Sequence, residues 1–146
     1  MKLTHFTDYS LRVLMYLAAD PTRRATIAEI AASFDISENH LVKVVHFLGR
    51  QGWIETVRGK GGGILLAMPA ERVNVGRVVR ETEGAAVLAE CFSEDGGHCA
   101  ISGCCRLKGV LAEAAKAFHA VLDHYTLADI ARNRLALGQV LKLKAA

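Results

Sequence analysis

The chain is poor in the features that mark several protein classes. Only 2 of its 146 residues are proline, so long extended linkers are not expected. Its longest uninterrupted apolar stretch is the seven residues from Val13 to Ala19, far short of the ~20 that a membrane-spanning helix needs. No small-residue cleavage site follows the polar stretch Met1–Asp8, so the N-terminus does not read as a secretory signal, and a cytoplasmic home without membrane contact is expected. The 131 positions outside residues 91–105 hold no cysteine: Cys91, Cys99, Cys104 and Cys105 all fall within fifteen residues. In a reducing compartment such crowding points to metal binding or redox chemistry, not to disulfides. Hydrophobic residues at 51% and charged residues at 23% exclude disordered and collagen-like classes and leave room for one small domain with its own core.

The net charge of +3 is modest but unevenly placed. Residues 1–80 carry 11 lysines and arginines against 7 acids, and residues 81–146 carry 7 against 8. A basic N-terminal half suits a surface that faces nucleic-acid phosphates.

Val13, Leu14 and Leu17, behind Phe6 and Tyr9, predict an amphipathic helix over Thr7–Ala19, closed by Asp20-Pro21 because a residue before proline avoids helical geometry. Thr26-Ile-Ala-Glu29 is a capping box, followed at helical spacing by Ile27, Ile30, Ala31 and Phe34. After a turn at Asp35-Ile36, Ser37 is placed to cap a third helix with the stripe Leu41, Val44, Val45 and Leu48. Two helices joined by so short a turn form a helix-turn-helix. Trp53–Val57 and Ile64–Ala67 then read as strands around Arg58–Gly63, a loop with four glycines, which makes a β-hairpin with a basic tip. Asn74 is placed to cap a fourth helix running to Glu81.

From Cys105 a long helix is expected, with Leu107, Val110, Leu111, Ala114, Phe118, Val121, Leu122 and Tyr125 at three-four spacing. At 1.5 Å per residue it reaches roughly 30 Å, beyond a small winged domain. Its stripe needs a partner, either the same helix of a second subunit or its own domain. Thr126 caps a short segment through Ala131, and Leu135–Ala146 is expected to be loosely ordered. The fold class is therefore mainly α with a small β-hairpin. A winged helix-turn-helix spans residues 1–83, a cysteine-bearing loop 84–105, and a dimerisation helix with a C-terminal segment 106–146.

On the third helix the face opposite the apolar stripe presents Asn39, His40, Val42, Lys43 and His46, with Arg50 at the end and Ser37 at the N-terminus. Asparagine can read adenine, lysine can reach guanine or phosphate, and Val42 is placed to touch a thymine methyl in the major groove. Ser37 sits where backbone amides favour phosphate. Arg58 and Lys60 sit on a wing backbone with few side chains, a form that can lie along a minor groove. The glycine-rich loop lacks the GxxxxGK[ST] arrangement of a nucleotide cradle.

The C-x7-C-x4-C-C spacing suits zinc or an iron–sulfur cluster. Cys104 and Cys105 are neighbours that point in different directions, so three cysteines plus another ligand is the expected set, with Cys105 at the helix start favoured over Cys104. His98 could complete a Cys3His zinc site, although no CxxC pair of a zinc ribbon is present. Without a CxxC pair or an accompanying His-Asp arrangement, a thiol enzyme is not expected.

Leu3-Thr-x-Phe-Thr-Asp-Tyr9, Ser37-x-Asn-His-Leu-Val-Lys43, Val57-Arg-Gly-Lys-x-Gly-Gly63, Cys105-Arg-Leu-Lys108 and Tyr125-Thr-Leu-Ala-Asp129 together resemble a family of dimeric bacterial winged-helix repressors that carry iron–sulfur clusters. The resemblance covers about residues 1–132 and is nearest to the family's nitric-oxide-sensing, NsrR-type branch; IscR and RirA are other members. It implies a homodimer on a palindromic double-stranded DNA operator, and a 2Fe-2S or 4Fe-4S cluster held by Cys91, Cys99 and Cys105. Asp8 would be the fourth ligand, supplied by the partner subunit, and nitric oxide the signal that releases DNA. Seven residues between the first two cysteines and the additional Cys104 depart from the family's usual pattern. Alternatives are a regulator of the same family that responds to iron or cluster status, and a zinc-stabilised DNA-binding protein.

Overall fold

The structure, a computed structural model, describes residues 2–84, 89–92 and 98–141. Seven α-helices and one hairpin are found among these residues: α1 His5–Ala19, α2 Ile27–Phe34, α3 Glu38–Arg50, β1 Ile54–Val57, β2 Gly63–Leu66, α4 Val75–Glu83, α5 Arg106–Asp123, α6 Leu127–Ile130 and α7 Arg134–Val140. Single 3-10 turns lie at Ala70–Arg72 and Glu90–Phe92. None of the helices is long and apolar enough to cross a membrane.

α1 is the central strut. Its Val13, Leu14, Leu17 and Ala18 are fully buried, and it packs against α3, α4, α6, α7 and β2. The helix starts two residues before the expected Thr7, because the Thr4 side chain caps it by accepting from the Thr7 amide. The Thr4 amide and hydroxyl in turn donate to Glu83 Oε1 at 2.8 and 3.0 Å, so the end of α4 is tied to the start of α1.

The helix-turn-helix follows its sequence signals closely. Thr26 and Glu29 form the reciprocal capping box. The turn is made by Asp35 in the left-handed region (φ 53), a conformation that aspartate tolerates better than most side chains. It lets Ile36 N–H reach back to the Ala31 carbonyl at 3.0 Å. α3 buries Leu41, Val44, Val45 and Leu48, as its stripe predicts. Phe6, Phe47 and Trp53 form an edge-to-face series with centroids 5.3 and 6.5 Å apart, joining α1, α3 and the base of the wing. Trp53 is only 2% exposed.

The hairpin pairs Ile54 with Leu66 and Val57 with Gly63. Ala25, between α1 and α2, adds a two-bond bridge to Ile64 (2.9 and 2.7 Å), so the wing is stitched to the helix-turn-helix along a third backbone segment.

α4 begins at Asn74, whose side chain accepts from the Arg77 amide and donates to the Asp123 carbonyl at 2.8 Å. One residue thus caps α4 and holds the C-terminal end of α5. Arg80 and Asp123 add an ion pair (2.7 and 3.0 Å) at the same crossing. α5 runs 18 residues with none buried, and Leu107, Val110 and Val121 are each about 60% exposed. α5 packs on α4, where Leu111, Phe118 and Leu122 are half-buried, but among the described residues nothing covers the rest of its apolar stripe. The segment after α6 corrects one expectation: residues 134–140 are helical, and Leu141 is buried, its carbonyl accepting from Ser33 at 3.2 Å. The rest of the expected loose tail, 142–146, lies outside the described residues.

Candidate nucleic-acid interface and cysteine loop

α3 turns its polar side to solvent. Ser37, Asn39, His40, Val42, Lys43, His46 and Arg50 are all exposed, Val42 at 51%. Ser37 occupies the N-cap position without making a side-chain capping bond, unlike Thr26 and Asn74. His40 does not stand alone, because its ring lies 6.2 Å from that of Tyr9, which lies 5.7 Å from His5. These residues, with Phe6, Lys43 and Val44, line an open cleft of about 320 Å³ between α1 and α3.

Arg58 and Lys60 are exposed at the wing tip. Gly59 and Gly61 have φ of 91° and 76°, backbone that side chains rarely adopt. A Cβ on Gly62 would overlap the Val57 carbonyl and lie 2.8 Å from that of Gly59, so the tip is closed too tightly to admit one. A residue the sequence patterns miss also reaches this tip. Arg24 Nη1 donates to the Gly61 carbonyl at 2.9 Å across 37 positions, and the local sequence signals it only as one of two adjacent arginines. The neighbouring Arg23 is spent inside the fold, on Glu29 and the Tyr16 hydroxyl.

The described part of the cysteine segment surrounds the start of α5. Cys91 lies in the Glu90–Phe92 turn, and the Phe92 ring sits 5.9 Å from the Lys108 ammonium of α5. Cys99 opens a run of turns in which its carbonyl accepts from Ser102 and that of Ile101 from Cys104. Cys105 is the N-cap residue of α5. All four cysteines are free; Cys91, Cys99 and Cys105 are half-buried, whereas Cys104 is exposed. Residues 93–97 of this segment lie outside the described residues. Among the described residues, no three His, Cys, Asp or Glu side chains of one chain converge as a metal centre. Asp8 sits in the first turn of α1, remote in sequence from the thiols. Its two carboxylate oxygens are taken by Arg12 at 2.9 and 3.1 Å, and both side chains are about 40% exposed.

The donor set fits an iron–sulfur cluster chemically, offering three half-buried free thiols and a carboxylate that, among the described residues, is held by one partly solvated ion pair.

A family model described as "Rrf2: Iron-dependent Transcriptional regulator" matches residues 3–133. The "HTH-type transcriptional regulator NsrR" of Bacillus subtilis (strain 168) is 50% identical over 145 residues, covering 99% of each chain. Among solved structures, Staphylococcus aureus CymR superposes with a TM-score of 0.71 at 26% identity, covering 88% of this chain and 96% of that one. T. potens IscR superposes with a TM-score of 0.73 at 25% identity, covering 91% of this chain and 88% of that one.

Proposed function

The chain belongs to the Rrf2 family and is a DNA-binding transcriptional regulator rather than an enzyme, and on that premise we propose that it is a homodimeric repressor that senses nitric oxide through an iron–sulfur cluster. Cys91, Cys99 and Cys105 hold the cluster, and Asp8 of the partner subunit completes it. The observation that carries this reading is the state of Asp8. Its carboxylate stands on the helix that supports α3 and, among the described residues, is held by half-buried Arg12, in a partly solvated ion pair of the kind that contributes modestly.

When bound, the cluster would supply iron reactive towards nitric oxide, held by Cys91, Cys99, Cys105 and Asp8 of the partner subunit. The chain's own residues do the rest. A released Asp8 returns to Arg12, and the first turn of α1 loses its tie to the other subunit. That turn bears on α3 through Phe6 against Phe47 and Tyr9 against His40, so its displacement reaches the recognition helix. The two recognition helices of the dimer then leave the half-site spacing of a palindrome. Moving the population from 1:99 to 99:1 takes roughly 5.5 kcal/mol of differential affinity, which two symmetric copies share. The exposed stripe of α5, with Leu107, Val110 and Val121, supplies the surface on which the second subunit pairs.

Anaerobic purification tests the proposal. Brown protein whose operator binding disappears on stoichiometric nitric oxide, at fixed salt, is expected. Asp8→Ala should fold, yet lose most of that response. Colourless protein containing zinc overturns the cluster, and an Asp8→Ala variant with native sensitivity overturns the role of Asp8.

A further inference from the structure

The wing has two cations of its own, and a third reaches it from outside the hairpin. We propose that Arg24 is a positioning residue for DNA recognition, fixing the wing tip in the conformation that enters the minor groove. This role rests on the hairpin being a DNA-facing wing.

The tip has little else to hold it. Four of the six residues from 58 to 63 are glycine, so no apolar side chain packs there and the backbone has much freedom to lose on ordering. Beyond the strand ladder, the Gly62 amide donates to the Gly59 carbonyl at 2.9 Å, and Arg24 takes the carbonyl of the residue between Lys60 and Gly62. The approach of Arg24 is built into two other elements. The Ala25–Ile64 bridge sets the backbone from which Arg24 departs. Gly63 provides the clearance: a Cβ there would lie 2.9 Å from Arg24 Cβ and 2.9 Å from the Ala25 carbonyl oxygen. A side chain at position 63 would therefore push the arginine stem away from the tip. One of the five guanidinium donors is used on Gly61, and Arg24 is exposed, so its charge stays at the surface, on the tip backbone next to Lys60 in sequence. Without this bond the tip samples other turns, and Arg58 is no longer presented in one place.

The probe is a duplex selected by the native protein from a random pool, footprinted at fixed salt. Arg24→Met keeps the stem and removes the donors. It is expected to bind about tenfold more weakly, the size of one lost base-reading contact. Hydroxyl-radical protection in the minor groove under the wing should vanish, while dimethyl sulfate protection of guanines in the major groove and the Tm stay native. Native minor-groove protection with native affinity overturns the proposal. So does an even loss of protection in both grooves, which is what a general structural defect produces. Arg24→Gln, uncharged and shorter, is read the same way should Arg24→Met fold poorly. Arg58→Ala keeps the two levels apart. If it also leaves the minor groove protected, the wing reading itself fails; if it alone removes protection, only the role of Arg24 fails.

Discussion

Replacing Gly76 by alanine probes how the long helix is seated on the reading head. Gly76 is buried in the first turn of α4, where α4 crosses the C-terminal end of α5. A Cβ at this position would overlap Asp123 Oδ1 and stand 2.9 Å from the Asp123 amide nitrogen and 3.0 Å from its Cγ. In an open helix the change would stabilise by about 0.5–1 kcal/mol, because glycine is a poor helix former. Here overpacking, typically about 1–3 kcal/mol, opposes that gain and wins, so a net loss of about 1–2 kcal/mol is expected. The carboxylate can swing aside only by giving up Arg80, and the amide can move only if the end of α5 lifts. Urea unfolding of the native chain, Gly76→Ala, Asp123→Ala and the double variant forms a cycle. Asp123→Ala alone should cost little, since the Arg80 pair is exposed. The double variant should recover part of the Gly76→Ala loss, because two of the three close contacts belong to the carboxylate group, but not all of it, because the amide stays. A Gly76→Ala protein more stable than native, or strictly additive effects, would refute this account of the crossing.

Two further outcomes follow from single residues. Burial pushes the Glu83 carboxyl up, but hydrogen bonds from the Thr7 hydroxyl and from the Thr4 amide and hydroxyl outweigh it and hold the group below its ordinary 4.5. With its folded value lowered, its contribution is fully present above that ordinary value and is lost as pH falls through the lowered one. Glu83→Gln should thus flatten the acid limb of stability against pH, measured by urea midpoints between about pH 3 and 6; limbs of equal slope would remove the effect. Val42, half-exposed on α3, should tolerate alanine without loss of Tm, while the ranking of single-base variants of the selected duplex changes at thymine positions. An unchanged ranking would remove the thymine contact.

The elements legible in the sequence are those whose signals are local. The Thr26–Glu29 box, the α3 stripe, the strand pair around four glycines and the Thr126 cap each specify their element within about a dozen residues, and each forms as expected. α7 was not legible for the opposite reason. It is seven residues long with Gly138 inside and no side-chain cap, too short to persist alone, and it exists because Leu137 and Leu141 dock on the core. The start of α1 departs from the expected Thr7 because it is set by Thr4, which caps the helix and is held by Glu83, 79 residues away. No sequence pattern reveals Arg24, because its partner is a backbone carbonyl, which no side-chain pattern encodes. The thiols could be named but not assembled: their spacing says which residue types are present, and a ligand from another chain has no spacing at all.

The bridge between Ala25 and Ile64 limits how this regulator can be switched. The connection after α1 is hydrogen-bonded into the wing, so the hairpin is tied by backbone to the helix-turn-helix that carries the recognition helix. A signal that acted through α1, as proposed above, would be expected to move wing and helix together. In the proposed dimer each half would keep its grip on its own stretch of base pairs in either state, and the change would lie in the distance and angle between the two halves. A duplex bearing one half-site would then be blind to the signal, and added base pairs at the centre of a full site would reset which state binds it.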